Sequence, residues 1–216
     1  MFNSIFPKIH KEGYKFLAIS VIATFIVLLF SKFLGLVLTV ITIWVYYFFR
    51  DPERYSINDD DYLTSPADGL ITDISEIKGP IELQLENTTF TKVSIFMNVF
   101  NCHVNRTPLS GTVKEINYKA GKFLNASLDK ASEENERNYF KIICNKSKEE
   151  IIIVQIAGLI ARRIVCEVEE GQDLKQGDRI GMIRFGRRVD IFFKNKKILA
   201  KVGQNVVAGE SLIAVK

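Results

Sequence analysis

The chain has two histidines, and only His103 lies beyond the apolar N-terminal block. It sits in Phe96-Met97-Asn98-Val99-Phe100-Asn101-Cys102-His103-Val104-Asn105-Arg106-Thr107-Pro108, where an apolar run gives way to a turn. From such a place an imidazole can reach solvent and a neighbouring loop. It also titrates near neutrality, so it can act as a base, although a lone histidine with no task is the competing reading. Asp68, in Ser65-Pro66-Ala67-Asp68-Gly69, is either a turn former bonded to its own backbone or the carboxylate that orients an imidazole. Cys102 adjoins His103, but adjacent strand residues face opposite ways, which favours a packed thiol over a nucleophile. Cys102, Cys144 and Cys166 show no Cys-x-x-Cys spacing, so neither a metal cluster nor a disulfide framework is expected. A reducing, cytoplasm-facing globular part follows.

Short alternating or β-branched runs must position these side chains. They occur at Gly69–Ile74, Lys92–Val99, Thr112–Tyr118, Asn138–Cys144, Glu150–Ile156, Arg163–Val168, Ile180–Ile183, Val189–Phe193 and Ser211–Val215, punctuated by Gly, Pro and Asn. The spacing predicts a mainly β, compact domain. Ala120–Lys130 and Ala131–Arg137 read as helical or loop-like, the second as an exposed polar stretch. Two internal echoes stand out. Ser65-Pro66-Ala67-Asp68-Gly69-Leu70-Ile71 resembles Thr107-Pro108-Leu109-Ser110-Gly111-Thr112-Val113, and Gly171-Gln172 with Gly177-Asp178 resembles Gly203-Gln204 with Gly209-Glu210. Each echo reads as a turn entering a strand, an arrangement resembling a barrel-sandwich hybrid. Biotinyl- or lipoyl-carrier function is the rival. Asp129-Lys130-Ala131 matches a carrier lysine motif, but it falls in the polar stretch and not between the repeats.

Phe16–Phe49 contains one charge, Lys32, between apolar runs of about 15 and 17 residues. The first covers only about 22 Å of a hydrocarbon layer about 30 Å thick. A single continuous helix would carry Lys32 to the bilayer centre at about 3 kcal/mol, so a hairpin turning at Lys32 is expected. Lys8, Lys11 and Lys15 before the block and Arg50 and Arg54 after it place both ends in the cytoplasm, with Trp44, Tyr46 and Tyr47 at the interface. A cleaved signal peptide would need a small-residue site, and neither run closes on one. The expected division is a membrane-anchoring hairpin over 1–49 and a β-rich domain over 50–216. Net charge +4 is too small to imply nucleic-acid binding and suits an anionic lipid surface. Homo-oligomerisation is left open.

Six segments together, FFRDPER, SPADG, FMNVFNCHVNRTPLSG, YKAGKFLNASLDKASEENERN, QIAGLIARRIVC and GDRIGMIRFGRRVD, resemble the short bacterial phosphatidylserine decarboxylase proenzymes. The resemblance runs over essentially all of residues 1–216. It implies a lyase of phospholipid biosynthesis that converts phosphatidylserine in an anionic membrane to phosphatidylethanolamine and CO2. Such a proenzyme cuts itself at a Gly-Ser bond, and the serine becomes a pyruvoyl group on a small α chain while the rest becomes the β chain. Decarboxylation leaves electrons on the α-carbon that no ordinary side chain accepts, and the pyruvoyl ketone supplies the sink. The cut begins when the serine oxygen attacks the preceding carbonyl, which needs a base. The resemblance assigns that base to His103 and its orienter to Asp68.

One position departs from the pattern. Arg187 follows Gly186 where the family has its serine, so the β and α chains would be 1–186 and 187–216. A guanidinium has no hydroxyl for the acyl shift, and the chain has no other Gly-Ser dipeptide. The expectation is an uncleaved, inactive polypeptide; the alternative is a catalytically dead, membrane-bound lipid-binding homologue. Arg106 near His103, and Asn135, Glu136 and Arg137 in the polar stretch, are candidates for the headgroup, with a solvated charged face weighed against the last three.

Overall fold

A computed structural model describes residues 7–121, 135–158, 163–184 and 188–216. They divide into two compact units. One comprises the described part of Met1–Glu53 together with Val99–Cys102, the other Arg54–Asn98 with His103–Lys216.

The first unit is a pair of apolar helices, α1 (Gly13–Phe30) and α2 (Lys32–Phe48), folded back on each other through Ser31. Ser31 is extended (φ −150°, ψ 114°) and its Oγ accepts the Leu34 N–H at 3.4 Å, capping α2. The turn therefore falls at Ser31-Lys32, as the charge pattern predicts. Outward faces of both helices are apolar and exposed, so polar groups must satisfy one another within the pair. The Thr42 hydroxyl does so, lying 2.6 Å from that of Ser20 and 2.9 Å from that of Thr24. With 18 residues and a mean hydropathy of 2.1, α1 is long and apolar enough to cross a membrane.

The second unit is β throughout. An antiparallel eight-stranded sheet runs in the order β13 (Asn205–Val206), β2 (Gly69–Lys78), β3 (Thr89–Phe96), β11 (Arg188–Phe193), β7 (Glu150–Ile156), β6 (Arg137–Cys144), β5 (Gly111–Lys119) and β9 (Asp173–Leu174). Two three-stranded sheets complete it: β1 (Tyr62–Thr64), β14 (Leu212–Val215) and β12 (Lys197–Ile198); and β4 (Val104–Arg106), β10 (Arg179–Arg184) and β8 (Arg163–Cys166). Alternate residues of the large sheet supply two cores. Val93, Ile95, Ile153, Val189, Ile191 and Phe193 join the main cluster, while Phe90, Tyr139, Ile152, Val154 and Phe192 pack on the opposite face. Burial on both faces explains the consecutive apolar residues Ile151–Val154 in β7 and Ile191–Phe193 in β11.

The sequence echoes are a structural repeat. Arg106 N–H donates to Pro66 O at 2.9 Å, and Thr64 N–H donates to Pro108 O at 3.0 Å, a reciprocal pair. Val113 and Ile71 donate to Gln172 O and Gln204 O, each at 2.9 Å, and the strands they open, β5 and β2, each bulge just after that residue. Gly171, Gly177, Gly203 and Gly209 all carry positive φ, from 76° to 87°.

Several expectations change. The run read as Lys92–Val99 pairs only to Phe96, after which the chain leaves the sheet. Strands β1, β4, β9, β12 and β13 have two or three residues each, too few to show alternation. Most of Ala120–Lys130, the carrier-like Lys130 included, and 131–134 lie outside the described residues. The end of the second stretch is not a solvated loop: Asn135 and Glu136 are buried and Arg137 opens β6.

Gly177 and Gly171 share a left-handed backbone but not surroundings. A Cβ at 177 would lie 2.0 Å from Ser56 Oγ, which donates to Gly209 O at 2.6 Å, whereas one at 171 meets nothing within 4 Å. Gly171→Ala should therefore cost about 1 kcal/mol, the left-handed strain alone. Gly177→Ala should cost at least about 1 kcal/mol more, because the Ser56 bond must break. Unfolding of the detergent-solubilised variants checks this; equal losses would contradict the contact.

Candidate functional site

Asp68 closes the turn that enters β2. Its Oδ1 accepts the Ala208 N–H at 2.8 Å, 140 residues along the chain, and its Oδ2 accepts the Arg54 guanidinium at 2.8 Å. The carboxylate is 10% exposed and the guanidinium 16%, so this is a sheltered charge-assisted pair and not a turn bonded to its own backbone. The repeat has a neutral counterpart in the same place: Ser110 Oγ accepts the Gln176 N–H at 3.2 Å. One half of a near-symmetric scaffold has thus been given a carboxylate and a cation.

His103 is fully buried, a correction to the solvent-reaching side chain expected at a strand end. The cause is strand pairing: its carbonyl accepts the Ile183 N–H at 3.3 Å, and β4, which follows at once, pairs Val104 with Met182 and Asn105 with Gly181 of β10. Cys102 is buried too, its thiol 3.3 Å from the Arg50 carbonyl, as expected of a packed thiol.

Strand register brings both residues toward one junction. β10 ends at Arg184 in a three-stranded sheet, and β11 begins at Arg188 in the eight-stranded one. His103 is bonded to Ile183 near the end of β10. At the start of β11, Arg188 lies opposite Phe96, which in turn lies opposite Leu70, two residues past Asp68. Gly186 and Arg187 fall between these strands and outside the described residues.

Buried polar groups fix the strands around this point. Arg188 grips Asp190 through Nε at 2.7 Å and Nη2 at 2.9 Å, a bidentate pair on one face of β11. Gln155 Nε2 donates to Asn105 Oδ1 at 2.8 Å and its Oε1 accepts Asn138 Nδ2 at 3.4 Å, tying β4 to β7 and β6. In β2, burial pushes the Asp73 carboxyl up, but the Ser75 hydroxyl, the Lys92 ammonium and the Arg188 charge outweigh it and hold the group below its ordinary value.

The headgroup candidates are bonded within the β unit. Arg106 is buried and donates through Nη1 to Gly177 O at 2.8 Å. Glu136 Oε1 accepts the Ile164 N–H at 3.1 Å and its carbonyl accepts the Ala157 N–H at 2.9 Å, which removes it from any solvated face. Asn135 is buried beside it, and Arg137 Nη1 lies 3.2 Å from the Tyr139 hydroxyl. Arg54 and Gln155 escaped the sequence reading: spacing carries no sign that Arg54 meets a carboxylate 14 residues on. Among the described residues, no group of three His, Cys, Asp or Glu side chains could hold a metal ion.

The family described as phosphatidylserine decarboxylase matches residues 41–214. A protein of Pelagibacter ubique (strain HTCC1062), named phosphatidylserine decarboxylase proenzyme, is 66% identical over 216 residues, covering 100% of both chains. Proteins of the same name from Rickettsia akari (strain Hartford) and Rickettsia prowazekii (strain Madrid E) are 47% and 46% identical over 214 residues, covering 99% of this chain and 92% of each relative.

Removing Arg54 should expose how far Asp68 depends on it. Arg54→Met strands a sheltered carboxylate and should cost about 3 kcal/mol, and adding Asp68→Asn should restore part of the loss because the charge is gone. Unfolding of the detergent-solubilised single and double variants measures both. A loss below about 0.5 kcal/mol for Arg54→Met, typical of an ordinary surface change, would contradict the pair.

Proposed function

The chain belongs to the phosphatidylserine decarboxylase family, and from that premise we propose that its β10–β11 junction is built for the conversion of phosphatidylserine to phosphatidylethanolamine and CO2, with Arg187 leaving this chain uncleaved and inactive. One observation carries the placement: strand register leads from both Asp68 and His103 to the two strand ends that flank residues 185–187. His103 is the base and Asp68 the carboxylate that orients it. Arg54 and the Ala208 N–H hold Asp68 in turn. A base buried in this way is shielded from bulk water, which strengthens its interactions with a neighbouring hydroxyl or carboxylate.

The proenzyme name of the relatives implies a precursor that yields two chains and acts on a lipid. For this chain those are a β chain over 1–186 and an α chain over 187–216. The pyruvoyl group that such a precursor makes from serine does not fit the residue present. Arg187 offers no hydroxyl, so no pyruvoyl forms from it and the chain stays in one piece. The surrounding site is intact: Asp68 keeps both partners and His103 is packed into the sheet. The hairpin anchors the chain at the cytoplasmic face of an anionic membrane, consistent with an α1 long and apolar enough to cross it.

Arg187→Ser should restore self-cleavage after Gly186, releasing a fragment of residues 187–216 on a denaturing gel, while the unaltered chain runs as one band. Adding His103→Ala to that variant should slow the cut by about 10²- to 10⁴-fold, because the hydroxyl is a weak nucleophile until a base takes its proton. Cleavage at an undiminished rate without His103 would remove it from the mechanism.

A further inference from the structure

The tetrapeptide Val99–Cys102 joins β3 to His103 in sequence, yet it packs with the helical hairpin as part of the first unit. Arg50, just past the end of α2, is what holds it there. Its Nη2 donates to Phe100 O at 2.8 Å and its Nη1 to Tyr47 O at 2.7 Å. The guanidinium also lies 3.7 Å above the Tyr47 ring, and the Arg50 carbonyl accepts the Cys102 thiol. The loop backbone is thus bonded to the open end of the hairpin, opposite the Ser31 turn.

What the loop presents outward is apolar. Phe100 is 62% exposed and Val99 40%, beside Tyr47 at 45% and on the same unit as Tyr14 at 60%. Exposed aromatic rings on the unit of an apolar helix pair, which Lys8, Lys11, Lys15 and Arg50 flank in sequence, have the composition of a membrane–water interface. A soluble surface gains nothing from an exposed phenylalanine whose backbone is tied down in this way.

We propose that Val99 and Phe100 form a wedge seated in the interfacial layer of the phospholipid bilayer, continuous with the hairpin and locked to it by Arg50. This rests on the membrane residence of the hairpin set out above and extends it to the segment that leads into the site. Only Asn101 and Cys102 lie between Phe100 and His103, so the wedge directly precedes that residue in the chain.

Two single-tryptophan forms of the full chain separate the wedge from the hairpin. The unaltered chain has one tryptophan, Trp44 in α2; the second form carries Trp44→Phe with Phe100→Trp. Both are placed in vesicles of phosphatidylglycerol and phosphatidylcholine containing lipids brominated near the glycerol end of the acyl chain. The wedge predicts a blue-shifted emission and loss of intensity for the tryptophan at 100, with protection from aqueous iodide. Quenching of Trp44 alone, with residue 100 open to iodide, would overturn the wedge and leave the hairpin standing. If neither tryptophan is quenched, the hairpin reading fails and the wedge with it. Val99→Trp in the Trp44→Phe background, its fold checked by circular dichroism, repeats the measurement at a second position. Adding Arg50→Ala to the Phe100→Trp form should weaken the quenching at 100 if Arg50 is the lock, and unchanged quenching would refute that part of the proposal.

Discussion

A carboxylate taken out of water must be compensated where it lies, and Asp68 is compensated by two groups far from it in sequence. Arg54 comes from the start of the β unit and Ala208 from the loop before β14, while Asp68 closes the turn into β2. Folding is therefore the condition for pairing the charge: until all three segments meet, the carboxylate has no reason to leave solvent. The same bonds fix the turn through which β2 enters the large sheet. β2 pairs with β3, and β3 with β11, the strand that resumes the chain after residue 187.

The internal repeat shows how such a site arises on a nearly symmetric frame. Both halves use a proline turn, a positive-φ glycine loop and a bulged strand, and both satisfy one loop N–H with a side-chain oxygen. In one half that oxygen is the Ser110 hydroxyl, which completes a turn and carries no charge. In the other it belongs to Asp68, with a second oxygen left for Arg54. A single change of residue type at equivalent positions thus separates a neutral turn from one that also pairs with a cation. The polar bonds around β11, Arg188 with Asp190 and Gln155 with Asn105, hold the neighbouring strands in a packed interior where a shift of one element would be felt by the next.

Much of this was legible in the residues. Alternation located the longer strands, the paired Ser-Pro-Ala-Asp-Gly and Thr-Pro-Leu-Ser-Gly segments announced the repeat, and Lys32 marked the helical turn. His103 and Asp68 stood out by residue type and by the motifs around them. What stayed hidden depends on pairing across distance. Arg54 looks like one more cation after an apolar block until its partner is seen. Asn135 and Glu136 read as solvated because their polarity is visible in sequence, whereas the buried N–H of Ile164 that Glu136 satisfies is not. Two-residue strands leave no periodicity at all, and nothing in Val99–Cys102 says that it belongs with the helices.

The central claim is that one residue separates an intact decarboxylase site from a working one. Release of labelled CO2 from carboxyl-labelled phosphatidylserine in vesicles tests it most directly, comparing the full chain with its Arg187→Ser variant at equal amounts. The account predicts release by the variant and none above background by the unaltered chain. Release by the unaltered chain, or a variant that cleaves itself yet leaves phosphatidylserine intact, would contradict it.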